Sequence, residues 1–282
     1  NESLHCELIW WSRPLATTLR LQGDEMKHAI VTGAAGGLGR SIADQLADEG
    51  WAVGLLDLSQ ATIEKAGPLR KNCTAISCDV SDPMSVTKAL EQFGQTPDLV
   101  VNNAGIVRFG PLIDLSQEDF DTVIRVNLVG AFIVAQQCAV AMRNAQTNGV
   151  IINITSMNGV VPGPNSGAYT SAKAGLAMLT KQMAVEWGPF GIRVNAIAPG
   201  LMDAGMSNAI HADPEIRKSR EAKIPARRLG RADDISNLVS FLASDKASYI
   251  TGENILVDGG ITMSVLTMLP RPKTVDKVGA GE

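Results

Sequence analysis

Seven short apolar runs lie along the chain, and between them apolar residues recur at intervals of three and four positions. Short apolar runs are typical of strands buried on both faces, whereas the three-and-four spacing predicts helices. Elements that alternate in this way form a parallel sheet with helices on both faces. We predict one α/β domain with a doubly wound parallel sheet of about seven strands in the order 3-2-1-4-5-6-7. The predicted strands are residues 28–32, 52–56, 75–78, 99–101, 149–154, 193–198 and 255–258.

A glycine-rich turn joins the first predicted strand to the first helix, and it reads Gly33-Ala-Ala-Gly-Gly-Leu-Gly39. Glycines at such a turn let the backbone approach a pyrophosphate at the helix N-terminus, where free N–H groups and the helix dipole favour an anion. The turn therefore predicts a dinucleotide site in a Rossmann-type fold. The turn residues that we expect to contact the cofactor are Gly33, Gly37, Leu38 and Gly39.

Asp57 ends the second predicted strand, 18 residues beyond Gly39. A carboxylate at about this distance holds the ribose hydroxyls of the adenosine in NAD, and it would repel a 2′-phosphate. The turn itself offers only alanines and glycines at positions 34–37, and none of these can pair with a phosphate group. We therefore predict NAD(H) rather than NADP(H). Asp57 could instead cap a helix that begins near Ser59, and both roles can coexist.

Tyr169 and Lys173 are the candidate acid/base pair, because side chains four residues apart lie on one face of a helix. A phenol titrates near pH ~10, and an ammonium close to it favours the phenolate and lowers its pKa. The pair therefore predicts a general acid/base that works near neutral pH. Ser156 lies thirteen residues upstream of the tyrosine, although it could also be an ordinary turn serine.

In their order along the chain, these motifs resemble those of the short-chain dehydrogenase/reductase family over roughly residues 27–260. The resemblance implies hydride transfer between a nicotinamide cofactor and a secondary alcohol or its ketone. The matching segments are Thr32–Gly39, Asp79-Val80 after the third strand, Asn102–Gly105 after the fourth, the four residues Asn127, Ser156, Tyr169 and Lys173, and Pro199-Gly200 after the sixth strand.

The resemblance also implies a role for each catalytic residue. Tyr169 would exchange a proton with the substrate oxygen while hydride leaves or reaches the carbinol carbon. Ser156 would hydrogen-bond that oxygen and stabilise charge on it. Lys173 would bind the nicotinamide ribose and lower the pKa of Tyr169, and Asn127 would hold a water that relays protons. Asn127 could instead be a buried helix residue that binds backbone groups.

Further cofactor contacts are implied at the carboxyl ends of the strands, which is the edge where open α/β sheets bind ligands. Asp79 and Val80 would bracket the adenine, although Asp79 could be only a helix cap. Many family members carry a threonine where this chain has Ala204, which puts one nicotinamide contact in doubt. The residues implied beyond the glycine turn and the catalytic pair are Asp79, Val80, Asn103, Pro199, Gly200 and Met202.

The chain is expected to divide into three parts. Residues 26–260 would form the catalytic domain, and residues 201–228 would be a lid over a moderately apolar substrate. Residues 1–25 would be a non-native or disordered N-terminal extension, and residues 261–282 a C-terminal tail. Because the family is usually tetrameric, we expect a homotetramer or a dimer built on the helices near 120–142 and 168–186.

Composition narrows the possible partners. The net charge is −4 and the pI is about 5.5, which does not favour a nucleic-acid partner. We expect no membrane span, because no run of about 18 apolar residues stands out. The four cysteines and three histidines show no metal-binding spacing. Free thiols in a cytoplasmic enzyme, with a small alcohol or ketone as its partner, are therefore expected.

Three functions compete at this point. The first is an NAD-dependent alcohol dehydrogenase, and the second is an NADPH-dependent carbonyl or 3-oxoacyl-carrier-protein reductase on the same scaffold. The third is a regulatory protein that keeps the fold without turnover. Asp57 counts against the second, and the complete set of Ser156, Tyr169 and Lys173 counts against the third.

Overall fold

The seven predicted strands form and pair in parallel in one sheet, in the order β3-β2-β1-β4-β5-β6-β7. The computed structural model describes residues 26–205 and 211–264. The predicted fold class and strand order are confirmed. The strands are β1 (His28–Thr32), β2 (Ala52–Asp57), β3 (Cys73–Ser77), β4 (Leu99–Asn102), β5 (Gly149–Ile154), β6 (Ile192–Pro199) and β7 (Asn254–Val257).

Helices connect the strands and cover both faces of the sheet. Those in the described residues are α1 (Gly37–Asp48), α2 (Gln60–Lys65), α3 (Pro83–Phe93), α4 (Gln117–Ile124), α5 (Ala131–Ala145), α6 (Tyr169–Trp187), α7 (Pro214–Lys223) and α8 (Ala232–Ala243). A π-helical turn, Arg125–Gly130, joins α4 to α5 without a break. Short 3₁₀ turns lie at Leu112–Asp114, Met157–Gly159, Gly188–Phe190, Asp245–Ala247 and Ile261–Met263.

Two apolar layers hold the helices to the sheet. On one face of the sheet, Ile42 of α1 and Val239 of α8 pack against the strand residues whose side chains point to that face. On the other face α3, α5 and α6 bury residues such as Val134 and Met183 against the alternate residues. Burial on both faces explains why the strands read as continuous apolar runs rather than as alternating ones.

The continuous helical stretch Gln117–Ala145 is long and apolar enough to cross a membrane by length and composition alone. Half of its most apolar window is buried inside the fold, as for the core helix of a globular domain. The sequence predicts no membrane span, although this stretch is apolar enough on average. The stretch exists here because α5 packs along the sheet, which requires many apolar residues on one helix.

A buried polar chain fixes α6 against the middle of the sheet. Asn102 Nδ2 donates to Asn153 Oδ1 (2.9 Å), and Asn153 Nδ2 donates to Thr180 Oγ1 (2.9 Å). Thr180 Oγ1 in turn donates to the Leu176 carbonyl (2.8 Å). Buried polar groups are costly unless they are paired, so this chain allows few alternative positions for α6. Asn102, which begins the segment that resembles the family's motif after the fourth strand, thereby has a structural role.

Some expectations fall outside the described residues. These are the nature of the segment 1–25, the tail beyond residue 264 and the lid positions 206–210. The division at residues 26, 201, 228 and 260 remains a prediction. Cys73, Cys78 and Cys138 are free thiols, as expected for these three.

Candidate active site

The glycine-rich turn has the backbone geometry that a dinucleotide site needs. Gly33 and Gly37 have φ angles of +65° and +55°, which L side chains rarely adopt. A Cβ at Gly39 would overlap the Gly33 carbonyl oxygen, so that position also requires glycine. Gly36 is the N-cap of α1 and supplies no side-chain cap, and open space surrounds it. The first N–H groups of α1 therefore remain free for an anion, while Leu38 packs on the core beside them.

Asn103 and Thr32 lock this turn to the end of β4. Asn103 Nδ2 donates to the Thr32 carbonyl (3.0 Å) and the Gly33 carbonyl (3.1 Å). Thr32 Oγ1 accepts from the backbone N–H groups of Asn103 and Ala104, both at 3.0 Å. Asn103 thus lies beside the turn, as predicted for a cofactor contact. Its amide nitrogen is already used to shape the backbone that would hold the cofactor.

Asp57 lies against the same turn. Its Oδ2 accepts from the Ala35 N–H (2.9 Å) and its Oδ1 accepts from the Leu58 N–H (2.9 Å). The carboxylate is therefore held at the carboxyl end of β2, directly beside the glycine turn. The helix that follows has Ser59 as its N-cap. The alternative that Asp57 caps this helix is wrong, because Ser59 occupies the N-cap position and the Asp57 carboxylate binds the N–H groups of Ala35 and Leu58.

Asp79 and Val80 have different environments beyond the end of β3. Asp79 is exposed and accepts from Ser81 N (2.9 Å) and Ser81 Oγ (2.7 Å). The cap of α3 is instead Asp82, which accepts from Met84 N (3.0 Å). Val80 is buried and packs on the π-helical turn at Gly130, where a Cβ would come within 2.9 Å of Val80 Cγ2.

Ser156 and Tyr169 meet at the carboxyl end of β5. Ser156 is the N-cap of a 3₁₀ turn, and its Oγ accepts from the Asn158 N–H (3.1 Å). A side-chain hydrogen bond from Ser156 to the phenol lowers the pKa of Tyr169, but burial raises that pKa by more, so that it lies above the ordinary value. The structure therefore brings together the hydroxyl groups that the sequence predicted, with the phenol protonated at neutral pH.

Lys173 is buried one turn further along α6. Its Nζ donates to the Ile154 carbonyl (2.7 Å) and lies 5.6 Å from the centroid of the Tyr169 ring. Burial lowers the pKa of Lys173 to about 8. Burial outweighs any effect of this lysine on the pKa of Tyr169, so the predicted net lowering does not appear here, and stabilisation of the phenolate by Lys173 stays a prediction. Tertiary burial disfavours the charged form of both groups, and the ammonium is directed at a carbonyl instead of the phenol oxygen.

Asn127 occupies the π-helical turn and is fully buried. Its Nδ2 donates to the carbonyls of Ile106 and Val123 (both 2.9 Å), and its Oδ1 accepts from the Ile106 N–H (3.2 Å). A Cβ at Gly105 would come within 2.5 Å of Asn127 Oδ1 and 3.6 Å of Lys173 Nζ. Asn127 therefore holds the loop at Gly105 and Ile106, which lies between Asn127 and Lys173. These contacts match the alternative in which the asparagine binds backbone groups.

Pro199 and Gly200 end β6 where β7 also ends. The Gly200 N–H donates to the Val257 carbonyl (3.0 Å), and a Cβ at Gly200 would come within 2.6 Å of Asp258. Met202, only 4% exposed, packs its side chain into the core on the α8 side. The expected cofactor contact of Met202 can therefore involve only its backbone, because the thioether is committed to apolar packing.

Residues 203–205 extend from this point to the glycine turn. A Cβ at Gly37 would come within 2.9 Å of Gly205 Cα. The Asp203 carboxylate binds Arg217 of α7 with two hydrogen bonds of 2.9 Å and 2.6 Å. The contact between Gly37 and Gly205 could not be predicted from the sequence, because the two glycines are far apart along the chain and neither belongs to a periodic pattern. Gly205 follows Ala204, the position where the family's threonine is missing.

Several other residues of the site were also missed. Asn158 Nδ2 donates to Ser166 Oγ (3.2 Å), which joins the two loops around Ser156. Gly110 N donates to the Asn165 carbonyl (3.0 Å), which adds the loop after β4 to this side of the site. The nearness of Asn158 to Ser156 in the sequence was an available signal, whereas the contact at Gly110 had none.

Comparisons with known proteins agree with this arrangement. A family model described as enoyl-(acyl carrier protein) reductase matches residues 33–262. The chain is 41% identical to the 3-oxoacyl-[acyl-carrier-protein] reductase FabG of Staphylococcus aureus over 84% of this chain and 98% of the relative. It is 38% identical to the (3R)-3-hydroxyacyl-CoA dehydrogenase of Mus musculus over 88% of this chain and 100% of that one.

Solved structures give the same result. A 4-hydroxyisoleucine dehydrogenase complexed with NADH has a TM-score of 0.79 at 30% identity, covering 84% of this chain and 99% of that one. A protein of Agrobacterium tumefaciens, provisionally assigned as a 2-deoxy-d-gluconate 3-dehydrogenase and solved with NADP, has a TM-score of 0.75 at 36% identity, covering 86% and 98%. The chain therefore belongs to the short-chain dehydrogenase/reductase family and is an oxidoreductase that acts on hydroxyl or keto groups.

Proposed function

We propose that the protein is an NAD(H)-linked dehydrogenase of secondary alcohols, with Tyr169 as its general acid/base. The proposal is supported by the convergence of Ser156, Tyr169 and Lys173 beside a glycine turn shaped for a dinucleotide. The uncapped N-terminus of α1 and the open space at Gly36 fit the pyrophosphate of such a cofactor. When bound, the nicotinamide cofactor supplies or accepts the hydride.

Each side chain has a distinct task in this proposal. In ketone reduction, the protonated phenol of Tyr169 gives its proton to the substrate oxygen, and in alcohol oxidation the phenolate takes it back. The Ser156 hydroxyl hydrogen-bonds that oxygen and stabilises its developing charge. The ammonium of Lys173 stabilises the phenolate that remains after proton donation. Asn127 holds the loop at Gly105 and Ile106 in place beside Lys173.

The preference for NAD(H) rests on the position of Asp57. Its carboxylate is fixed at the turn by the Ala35 N–H, where the adenosine ribose of a dinucleotide is bound. A 2′-phosphate there would meet a like charge, and no Lys or Arg lies within residues 33–39 to compensate it. The remaining cofactor contacts proposed are those of the glycine turn, of Asp79 and Val80, of Asn103, of Pro199 and Gly200, and of the Met202 backbone.

A second candidate is an NADPH-dependent reductase of 3-oxoacyl thioesters. The relative from Staphylococcus aureus named for that activity favours it, as does the mouse relative named for 3-hydroxyacyl-CoA oxidation. Both names describe the interconversion of a keto group and a hydroxyl group at the third carbon of an acyl thioester. The Asp57 carboxylate is the observation that favours NAD(H) over NADPH.

We also propose a homotetramer in the cytoplasm, with a small alcohol or ketone as the substrate. Exposed apolar side chains on α5 and α6, such as Val140, Met178 and Val185, support self-association. Free thiols at Cys73, Cys78 and Cys138 are compatible with a reducing compartment.

The test is a titration of tryptophan fluorescence with NADH and NADPH, in the wild type and in Asp57→Asn. Asparagine keeps an oxygen that can accept from the Ala35 N–H but removes the charge. We expect the wild type to bind NADH more tightly, and the substitution to shift the ratio of the two dissociation constants towards NADPH by roughly 10-fold to 100-fold.

Asp48→Asn is the matched control, because it removes a carboxylate from the far end of α1 without touching the turn. This control should leave the ratio unchanged. Tighter NADPH binding by the wild type would reject the NAD preference and favour the oxoacyl reductase. Binding of neither cofactor would support the regulatory alternative.

A further inference from the structure

The two hydroxyl groups of the candidate site belong to different elements. Ser156 follows the end of β5 and begins a 3₁₀ turn, whereas Tyr169 is the first residue of α6. The loop of residues 157–168 connects them, so its shape contributes to the distance between their side chains. Pro162 and Pro164 fix their own φ angles and restrict the backbone of this loop. Contacts inside the loop therefore bear directly on the Ser156–Tyr169 pair.

Ser156 is held through the turn that follows it. Its Oγ accepts from the Asn158 N–H (3.1 Å), and its carbonyl accepts from the Gly159 N–H (2.9 Å). The turn lies directly on α6, because a Cβ at Gly159 would come within 2.8 Å of the carbonyl carbon of Lys173. The orientation of the Ser156 hydroxyl therefore depends on where Asn158 is held.

Tyr169 is held through the residues that precede α6. Its N–H donates to the Ser166 carbonyl (3.1 Å), and Ser166 is only 7% exposed. Ser166 also pairs with Gly110 in a short bridge to the loop after β4. Gly167 has a φ of +54°, and a Cβ there would come within 2.7 Å of the Arg108 carbonyl oxygen. The start of α6 is therefore packed tightly against its surroundings at Ser166.

One hydrogen bond between side chains joins these two ends of the loop. Asn158 Nδ2 donates to Ser166 Oγ (3.2 Å) across eight positions of the chain. Gly163 leaves room for it, since a Cβ there would lie 3.2 Å from Ser166 Oγ and 3.3 Å from Asn158 Oδ1. The bond is partly buried, where water competes less for the two polar groups. It therefore closes the loop between the two hydroxyl-bearing residues.

We propose that Asn158 and Ser166 are positioning residues, whose side-chain hydrogen bond holds the Ser156 hydroxyl against the Tyr169 phenol. The inference rests on the proposed function and deepens it, because both hydroxyl groups act there on one substrate oxygen. Asn158 acts through its backbone N–H on Ser156 Oγ, and Ser166 acts through its carbonyl on the Tyr169 N–H. Loss of the bond separates the two hydroxyl groups without removing either of them.

The first test needs no substrate. The chain has two tyrosines, so Tyr249→Phe leaves Tyr169 as its single tyrosine, and Tyr249 is fully exposed. In that background, the ¹³C resonance of the phenol carbon Cζ reports the hydrogen bonds of the Tyr169 oxygen. We expect Asn158→Ala and Ser166→Ala to shift this resonance at pH 7, because the hydrogen bond from Ser156 to the phenol is weakened. Ser166→Thr keeps the hydroxyl group and should leave the resonance in place.

The second test is steady-state kinetics with acetoacetyl-CoA and NADH or NADPH, and with butan-2-ol and NAD⁺. A displaced Ser156 loses stabilisation of charge that develops in the transition state. In Asn158→Ala and Ser166→Ala, kcat should therefore fall on the order of tenfold, while KM and the NADH dissociation constant stay within about twofold. Ser166→Thr should restore kcat. The double alanine variant should be no slower than either single one, because each removes the same bond.

Asn237→Ala is the matched control. It removes a side-chain hydrogen bond of similar length, 3.1 Å to Gln45, between α1 and α8 on the opposite face of the sheet from α6. This control should change neither the Cζ resonance nor kcat.

The outcomes separate the positioning role from the proposed function. An unmoved Cζ resonance in both alanine variants would overturn the positioning role and leave the dehydrogenase proposal intact. A double variant much slower than either single one would also overturn it, because the two side chains would then act independently. If the wild type binds neither NADH nor NADPH, the proposed function fails. The Cζ resonance alone then decides whether the bond between Asn158 and Ser166 positions the two hydroxyl groups.

Discussion

At the scale of single residues, the site combines a phenol whose pKa is raised with a lysine whose pKa is lowered. Burial disfavours the charged form of Tyr169 and of Lys173 alike, and for Lys173 it brings the pKa to about 8. Tyr169 therefore carries its proton at neutral pH, as the proposed role of proton donor requires. In the proposed mechanism, the Lys173 ammonium stabilises the Tyr169 phenolate after proton donation. Of these two groups, Lys173 is the first to lose its proton as pH rises.

This ordering predicts the pH profile of ketone reduction. The kcat/KM should be constant below about pH 7 and should fall above a pKa near 8, because Lys173 then loses the charge that stabilises the tyrosine phenolate. Tyr169 remains protonated through that range and is not the cause. Initial rates measured from pH 6 to pH 10 at constant ionic strength check this.

Lys173→Arg identifies the titrating group, since a guanidinium keeps its proton over the whole range. The fall near pH 8 should be missing in this variant, whatever its absolute rate. Lys181→Arg is the control, because Lys181 lies on the same helix but is exposed. A fall near pH 8 that persists in Lys173→Arg would assign the transition to another group.

At the scale of elements, strands were predicted more accurately than the details of the site. The strand ends predicted from the apolar runs lie within two residues of the observed ends, because burial on both faces makes each strand a continuous apolar run. The π-helical turn at Arg125–Gly130 was missed, because a single wide turn shifts the apolar spacing by only one position, which is within the scatter of an ordinary helical pattern. The burial of Met202 and the contact of Gly37 with Gly205 depend on tertiary packing, which periodicity does not encode.

Helix α8 begins with a capping arrangement whose contribution can be measured. Asp234 accepts from the Arg231 N–H (2.7 Å) and from both terminal nitrogens of Arg228 (2.6 Å and 2.8 Å). Arg228 lowers the pKa of this carboxyl to about 2. We expect Asp234→Asn to reduce the free energy of unfolding by about 1 kcal/mol at pH 7. Urea denaturation of both proteins measures the difference.

The same pair predicts how that difference depends on pH. The folded pKa of Asp234 lies below its unfolded value, so its contribution is complete above about pH 4 and is lost as pH falls towards 2. Asp233→Asn is the control, because Asp233 shares the first turn of α8 but is exposed and has no ion pair in the described part of the chain. An equal loss in both variants would attribute the effect to the helix dipole.

At the scale of the whole molecule, the proposed acid/base pair lies on a helix that exposes two large apolar side chains. Tyr169 and Lys173 occupy the first turns of α6, while Met178 and Val185 on the same helix are 64% and 75% exposed. These two residues are seven positions apart, so they lie on one face of the helix. A homotetramer that covers this face would constrain the helix that holds the acid/base pair.

The proposed tetramer predicts a mass near four times 29.8 kDa in solution, and Val185→Asp should lower it. In a symmetric interface each substitution occurs twice, so two carboxylates would be buried without partners across the contact. Light scattering coupled to size-exclusion chromatography gives the mass.

Tyr249→Asp is the control, since Tyr249 is fully exposed after α8. A monomeric wild type, or a tetramer unchanged by Val185→Asp, would contradict the assignment of this face. If the mass falls as predicted, kcat should fall with it, because α6 would lose the packing that fixes Tyr169 and Lys173 from outside.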